Sequence, residues 1–431
     1  MMAKRMTALV GALAAASAVA AGCGGSGNAD NAGSHGEVVI TCEVCPVKPT
    51  GDVFQQYRKR LTDAFNARYK GRYRIKPTPY TPANDSDAAQ HYARAAATNT
   101  LPDIFAEQAT IVRKAAKSGK LVDFAPLLAK DPSWKRSFKA DAFTSLTDPQ
   151  GHIWGIPEQR DAVGIYYNKK LFRQAGIASF PTSWDELMAD CAKLKAAGTI
   201  PFAMDGDWVT QLMWSNLIGT QPGGADFLRG GILKGDLAGN PMVVRATEYL
   251  KTMHTSGYVN KDAFSGDYNR AAAPFLDGQA AMIANGPWML PDIEKAKLDV
   301  GYAGSPGNGV LVIPGSEGWA SGAKDDAHRQ AVAAFMKFMS SDAQMYKKAI
   351  MTGSYWPTNV QLSAQQVGKL DALTFNLLQH ADKAQYTYPH AKFATPESFS
   401  TAWTNNWPAY VQGKMSTADF LGALSDSLQG A

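Results

Sequence analysis

The chain has 431 residues, of which 45% are hydrophobic and 19% are charged, and its formal net charge is +5. This composition is that of an ordinary soluble globule, and the length exceeds what one core usually needs, so we expect two to three domains. The positive charge is spread through mixed-sign segments rather than concentrated in one patch, which argues against nucleic-acid binding.

The first 22 residues have the pattern of an export signal. Lys4 and Arg5 precede a small, apolar run over residues 6–21, which is too short and too rich in alanine to remain as a membrane span. The motif A-A-G-C that ends at Cys23 is similar to a lipobox, although Ala20 stands where leucine is usual. We therefore expect a lipoprotein signal peptide over residues 1–22 and lipidation of Cys23. Ordinary secretory cleavage beside an incidental cysteine is the alternative.

Residues 23–36 are small and polar with no apolar period, which predicts a flexible tether. Beyond this tether, Cys42 and Cys45 form a C-E-V-C-P motif after the first predicted strand. Outside the membrane, where thiols oxidise, the pair could close a small disulfide loop or contribute to a metal site. We favour the disulfide because no second Cys or His pair completes four ligands. Cys191 lies on an apolar helical face, which predicts a buried, inert thiol.

Three strands are predicted over residues 37–42, 74–76 and 101–106, with helices between them. Asp52 is the expected N-cap of the first helix. An alternation of strands and helices predicts a parallel or mixed sheet that is covered by helices.

Ligands of such sheets bind beyond the carboxyl ends of the strands. The loop over residues 42–48 follows the first strand, and Glu107 and Gln108 follow the third. These residues are therefore candidate ligand contacts, although Glu107 and Gln108 could equally cap the helix that begins near Ala109.

Three further motifs carry a resemblance to a known family. They are G-I-P followed by G-I-Y-Y-N-K-K-L-F over residues 155–172, P-T-S-W-D-E-L over residues 181–187, and N-G-P-W ending at Trp288. Together they resemble the family 1 extracellular solute-binding proteins of ABC transporters, the carbohydrate-binding, maltose-binding-protein-like group. The similarity runs in collinear order through nearly all of residues 37–425.

The resemblance implies an α/β fold of the two-lobed, type II periplasmic-binding-protein kind. Each lobe is then a mixed sheet flanked by helices, and the ligand cleft lies at the hinge between them. We expect lobe I to contain residues 37–160 and 305–350, and lobe II to contain residues 161–304 and 351–431.

The resemblance also implies a cleft in which polar groups bind sugar hydroxyls and an aromatic ring covers the sugar. We expect Asp161 to accept the hydroxyls, with a hinge salt bridge as the alternative. We expect Trp288 to cover the ring, with burial beneath the Pro287 turn as the alternative. The further candidate ligand contacts are Glu107, Gln108, Glu158, Arg160, Trp208, Trp356 and Trp403.

The sequence thus predicts a monomeric receptor that captures a mono- or oligosaccharide by hinge closure and delivers it to the permease and ATPase of an ABC importer. Its expected location is the outer face of the cell membrane, with a lipid anchor and without a cofactor. The sequence has no nucleophile elbow, phosphate loop or H-E-x-x-H motif, and its histidines are dispersed. A secreted glycoside hydrolase or other carbohydrate-active surface protein is the alternative, because two catalytic carboxylates need only meet in space.

Overall fold

The structure, a computed structural model, describes residues 36–49, 52–83, 85–314, 317–352, 356–360, 363–369, 372, 373, 375, 381 and 383–429. The predicted signal peptide, nearly all of the tether and the lipidation site at Cys23 lie outside these residues.

The strands are β1 Val38–Cys42, β2 Tyr73–Pro77, β3 Phe105–Gln108, β4 Ile156–Pro157, β5 Arg160–Asn168, β6 Ile200–Phe202, β7 Ala280–Asn285, β8 Val300–Ala303, β9 Gly309–Pro314, β10 Glu317–Ala320 and β11 Tyr386–Tyr388. The helices are α1 Val53–Arg68, α2 Asp85–Ala97, α3 Ala109–Ala116, α4 Ala125–Lys130, α5 Pro132–Arg136, α6 Lys169–Gln174, α7 Trp184–Ala196, α8 Trp208–Gly219, α9 Gly224–Arg229, α10 Pro241–Thr255, α11 Tyr268–Leu276, α12 Leu290–Ala296, α13 Asp326–Met339, α14 Asp342–Thr352, α15 Ala364–Val367, α16 Ala391–Ala394, α17 Glu397–Val411 and α18 Thr417–Leu428.

Local sequence signals set the starts of several helices. The Asp52 side chain accepts a hydrogen bond from the backbone N–H of Phe54 at 2.9 Å, which confirms the predicted cap of α1. At the start of α7, Ser183 and Glu186 form a capping box in which each side chain accepts from the other residue's backbone N–H.

The third strand begins later than predicted. Proline has no backbone N–H, so Pro102 cannot donate to a strand ladder. Ile104 forms only an isolated parallel bridge with Cys42, and the regular strand β3 starts at Phe105. The strand therefore supplies Glu107 and Gln108 as its last two residues, rather than as a loop beyond it.

The described strands form three sheets. β1 and β2 are parallel, and β10 lies between β3 and β4 with antiparallel pairing on both sides. The largest sheet has the order β11-β9-β5-β7-β6, and β8 also pairs with β5. Parallel and antiparallel pairs occur together in this sheet, so it is mixed as predicted.

The hydrophobic core has separate parts, which define two lobes. One core gathers residues of α1, β1, β2, β10 and α13, and a smaller core on the other face of β3 and β10 gathers residues of α2 and α3. We call the region around these two cores the first lobe. A second large core gathers residues of β7, α8, α10, α17 and α18, and we call the region around it the second lobe.

Strand β9 contributes to both lobes, because alternate side chains of a strand point to opposite faces. Val310 and Val312 belong to the core of the first lobe, whereas Leu311 and Ile313 belong to that of the second. Antiparallel partners on β5 divide in the same way: Ala162 packs in the first lobe and Val163 in the second.

One passage of the chain between the lobes is the segment over residues 157–161, which leads from β4 into β5. There the backbone N–H of Glu158 donates to the carbonyl oxygen of Glu317 at 3.0 Å. We call this region the crossing. The predicted lobe boundaries remain proposals at all points but one. Trp356 and Ala381, which we predicted for lobe II, pack in the core of the first lobe. The boundary placed at residue 351 was therefore too early.

No helix in the described part of the chain is both long enough and apolar enough to cross a membrane.

Candidate functional site

Trp288 follows β7 of the second lobe, a strand with the sequence A-A-M-I-A-N. All six residues of β7 are buried, and the chain then turns through Gly286 and Pro287. A Cβ atom at Gly286 would lie 2.1 Å from Cζ3 of Trp288, so only glycine lets the indole lie against this backbone. The Trp288 ring is half-buried, and a rigid strand end therefore holds a partly exposed aromatic surface.

Polar neighbours fix the edge of this indole. The Asn285 side-chain amide donates to the Tyr268 hydroxyl at 2.9 Å. Burial raises the pKa of Tyr268 to about 12, and hydrogen bonds with Asn285 and Trp288 act in the opposite direction. These contacts reduce the freedom of Trp288 before any ligand binds, which lowers the entropy cost of binding.

Trp208 lies beside Trp288, with ring centroids 6.2 Å apart and an interplanar angle of 62°. His390 stacks on Trp208 at 4.7 Å, and the Lys392 ammonium lies 5.3 Å from the Trp208 ring centroid. Trp208 is therefore engaged by protein groups and supports the position of Trp288, whereas its own contact with a ligand stays a prediction.

Asp205 holds the start of α8, which carries Trp208. Its Oδ1 atom accepts hydrogen bonds from the backbone N–H groups of Asp207 and Val209 at 3.0 Å and of Thr210 at 3.3 Å. Burial raises the pKa of Asp205 to about 6, although these three hydrogen bonds favour the ionised form. The carboxylate is thus a structural support for the aromatic pair.

A second polar group lies on the first lobe, at the carboxyl ends of β1 and β3. His91 Nε2 is 3.1 Å from a carboxylate oxygen of Glu43, and its ring stacks on Tyr80 with centroids 3.8 Å apart. Burial raises the pKa of Tyr92, and the charges of Glu43 and Glu107 add to this rise, so both acids lie near Tyr92. Sequence reasoning missed Tyr80 and His91, although Tyr80 follows the second strand and so met the same positional criterion as Glu107.

The crossing contains a buried charge network. Arg58 donates to Glu158 Oε2 at 2.7 Å and lies 3.5 Å from Glu317 Oε2. Lys348 of α14 donates to the backbone carbonyl oxygen of Glu158 at 2.9 Å and to the side-chain oxygen of Gln159 at 3.2 Å. We call Arg58, Glu158, Glu317 and Lys348 the crossing network.

The two acids of this network have opposite pKa shifts. Burial raises the pKa of Glu158, but the charges of Arg58 and Lys348 outweigh burial and hold it at about 2. Burial and the charge of Glu158 raise the pKa of Glu317 to about 7. The network thus favours the ionised form of Glu158 and the protonated form of Glu317.

Three predicted ligand contacts lie in or beside this network. Glu158 is 1% exposed, with Arg58 2.7 Å from its Oε2 atom and Lys348 3.7 Å from its Oε1 atom, and Arg160 forms an ion pair with Asp141 at 3.2 Å. Both residues therefore help to fix the crossing, and their contact with a ligand stays a prediction. Asp161 is also 1% exposed, and its role as an acceptor for solute hydroxyls stays a prediction.

Two predicted tryptophans are core residues. Trp403 is fully buried on α17 and packs against Trp214, Trp407 and Phe420, with ring centroids 5.0 to 5.4 Å apart. Trp356 is 5% exposed and belongs to the core of the first lobe. Both predictions of ligand contact were wrong, because the rings are covered by other hydrophobic side chains.

Cys42 and Cys45 are joined by a disulfide, and both are buried at the end of β1. Among the residues that the structure describes, no three His, Cys, Asp or Glu side chains gather closely enough to hold a metal ion. The site therefore offers an aromatic face, carboxylates and hydroxyl groups, a set that suits hydrogen bonding to a polar solute.

Comparisons with known proteins agree with this geometry. The sequence profile of the family described as bacterial extracellular solute-binding protein matches residues 60–375. The multiple sugar-binding protein of Streptococcus mutans is 25% identical over 325 residues, which cover 69% of this chain and 76% of that protein. The sn-glycerol-3-phosphate-binding periplasmic protein UgpB of Rhizobium meliloti is 25% identical over 264 residues, which cover 57% of this chain and 59% of that protein.

A solved structure of a chitin oligosaccharide binding protein superposes with a TM-score of 0.74 and 22% identity. The alignment covers 92% of this chain and 99% of that one. This similarity confirms the predicted two-lobed α/β fold.

Proposed function

Because this chain belongs to the bacterial extracellular solute-binding proteins, we propose that it is the receptor of an ABC importer and that its solute is a carbohydrate. The observation that carries the carbohydrate proposal is the half-buried Trp288 ring at the rigid end of β7. A sugar ring has an apolar C–H face that an indole covers, while its hydroxyls remain available for polar partners.

The charges of the candidate cleft favour a carbohydrate over glycerol phosphate, the ligand in the name of the second relative. A phosphate is bound by cationic groups that are available to it. Arg58 is already paired with Glu158, and Glu43 and Glu107 place negative charge on the first-lobe side. An anionic solute would meet repulsion there, whereas sugar hydroxyls can donate to the carboxylates.

We propose that capture occurs by hinge motion at the crossing. Protein groups from both lobes would bind the solute and so stabilise the closed state. Lys114 of α3 lies 3.0 Å from Glu397 at the start of α17, which supports a close approach of the lobes on that side. Both side chains are largely exposed, so this ion pair contributes little energy by itself.

Trp288→Ala is expected to weaken carbohydrate binding about 30-fold or more, with little loss of folding stability. Gly286→Ala should have a similar effect on affinity, because the added methyl group would displace the indole. The matched control is Gly422→Ala, where a Cβ atom has no neighbour within 4 Å. Calorimetric titration of the lipid-free protein against a sugar panel measures affinity. Full-strength binding by folded Trp288→Ala protein would contradict the proposal.

We also propose that Cys23 is lipidated and anchors the receptor at the outer face of the cell membrane, where it acts as a monomer beside the permease and ATPase. Cys23→Ala is expected to move the protein from the membrane fraction to the medium, because the diacyl anchor is lost. Fractionation followed by immunoblotting measures this shift. Retention of the variant in the membrane would contradict the anchor.

The family consists of binding proteins, and we propose that this chain likewise has no catalytic activity. The alternative of a glycoside hydrolase predicts cleavage of the sugar that binds. Chromatography of the bound sugar after prolonged incubation distinguishes the two, since a receptor returns it intact.

A further inference from the structure

Tyr268 is the first residue of α11, and its hydroxyl lies at the edge of the Trp288 indole. The side-chain amide of Asn285 donates to this hydroxyl oxygen at 2.9 Å, and Trp288 is a second hydrogen-bond partner of the same oxygen. An indole has only its Nε1–H group for such a bond, so Trp288 is the donor. The Tyr268 oxygen therefore accepts hydrogen bonds from both neighbours.

Asn285 is held so that it can only donate to Tyr268. Its side chain is fully buried, and its Oδ1 atom accepts a hydrogen bond from the backbone N–H of Gly286 at 2.9 Å. The backbone carbonyl oxygen of Asn285 accepts from the Tyr302 hydroxyl at 2.8 Å. Because Oδ1 is occupied by Gly286, the amide presents its Nδ2–H group to Tyr268.

The direction of these bonds leaves the hydroxyl hydrogen of Tyr268 available. A hydroxyl has one hydrogen to donate, and here N–H groups occupy the positions at which its oxygen accepts. Among the residues that the structure describes, none accepts this hydrogen. Tyr268 is only half-buried, so an acceptor from outside the protein, either water or a solute, can reach it.

We infer that Tyr268 contacts the solute directly and donates its hydroxyl hydrogen to a hydroxyl oxygen of the sugar whose apolar face Trp288 covers. The inference rests on the proposed carbohydrate function and adds a specificity-determining residue to that site. The hydroxyls of a sugar project from the rim of its ring, so one of them reaches the edge of the indole that covers the face. At this edge the sugar must offer an acceptor, because Tyr268 supplies the donor.

The test combines Tyr268→Phe, which removes only the hydroxyl, with calorimetric titration of the lipid-free protein (Cys23→Ala). The probes are glucose oligomers of one to four units in α-1,4, α-1,6, β-1,3 and β-1,4 linkage, and the matching N-acetylglucosamine oligomers. Tyr268→Phe should weaken binding of the tightest probe about fivefold to tenfold, the loss expected for one neutral hydrogen bond. A urea melt of each variant measures its folding stability, which should change little.

Tyr386→Phe is the matched control. Tyr386 is also half-buried, and its hydroxyl accepts a hydrogen bond from the side-chain amide of Gln385 at 3.0 Å. It lies on β11, which β9 and β5 separate from β7 in the sheet. Its affinity for the same probe should therefore stay within about twofold of the unaltered value.

Monodeoxy analogues of the tightest probe identify the hydroxyl that Tyr268 contacts. One analogue should bind the unaltered protein about tenfold more weakly than its parent sugar, and this loss should shrink to less than about twofold in Tyr268→Phe, because the partner is already absent.

Unchanged affinity of folded Tyr268→Phe would overturn the inference, while Trp288→Ala would still decide the carbohydrate function. If every monodeoxy analogue lost as much affinity in Tyr268→Phe as in the unaltered protein, the hydroxyl would act only by positioning Trp288, and the inference would again be overturned. Absence of binding to every saccharide probe would overturn the carbohydrate function and this inference together.

Discussion

Lys348→Met is expected to lower the free energy of unfolding by about 3 to 5 kcal/mol at pH 7, because removal of one member of a buried ion pair leaves an uncompensated charge. Lys348 is 1% exposed and is shared by Glu158 and Gln159 at the crossing. Methionine preserves most of the side-chain volume, so the loss reports on charge and hydrogen bonds rather than on a cavity. Urea unfolding followed by tryptophan fluorescence measures the change.

Lys347→Met is the matched control, because Lys347 is exposed on the same helix and should change stability by less than about 0.5 kcal/mol. The double variant Lys348→Met with Glu158→Gln should recover part of the loss, since the buried carboxylate is neutralised. Similar losses in Lys348→Met and Lys347→Met would contradict the structural role of the network.

The same variant should change the response to acid. The folded-state pKa of Glu158, about 2, lies below its ordinary value of 4.5, so the stability that Glu158 contributes is present above pH 4.5 and is lost as the pH falls toward 2. Lys348 is one cause of that depression, so its removal raises the pKa of Glu158. Acid unfolding of Lys348→Met should therefore begin at a higher pH than that of the unaltered protein.

Trp403→Ala is expected to destabilise the fold by about 3 to 5 kcal/mol, because truncation of a fully buried tryptophan removes apolar burial and leaves a cavity. The remaining folded protein should bind its sugar with unchanged affinity. Denaturant unfolding and calorimetric titration of the same sample measure both quantities. Trp288→Ala is the control, because the same truncation at Trp288 should reduce the affinity for sugar and leave the folding stability nearly unchanged.

A stable Trp403→Ala protein that no longer binds sugar would show that Trp403 contacts the ligand. That result would also contradict the core packing against Trp214, Trp407 and Phe420.

The difference between these two tryptophans explains what the sequence could and could not predict. A local signal located the cap at Asp52, and the N-G-P-W motif led to the prediction that Trp288 contacts the ligand. Trp403 was assigned to the ligand by family resemblance alone. Its spacing of four residues from both Phe399 and Trp407 is that of a buried helical stripe and would have placed it in the core.

The crossing network was beyond sequence reasoning for another reason. Arg58, Glu158, Glu317 and Lys348 are far apart in the chain, and nothing in the sequence near Arg58 or Lys348 distinguishes either from an ordinary surface cation. Only the tertiary fold brings α1 and α14 against the crossing. The sequence therefore predicted a polar stretch at the hinge but contained no sign of the partners that contact Glu158.

The division of β5 and β9 between the cores bears on how the molecule loses its structure. A fragment that contained only one lobe would carry both strands with half of their side chains uncovered, or would lack them and leave its own core open. The lobes should consequently melt together in a single cooperative transition, whether or not the proposed hinge motion occurs at the crossing. Such strands join the two lobes into one folding unit.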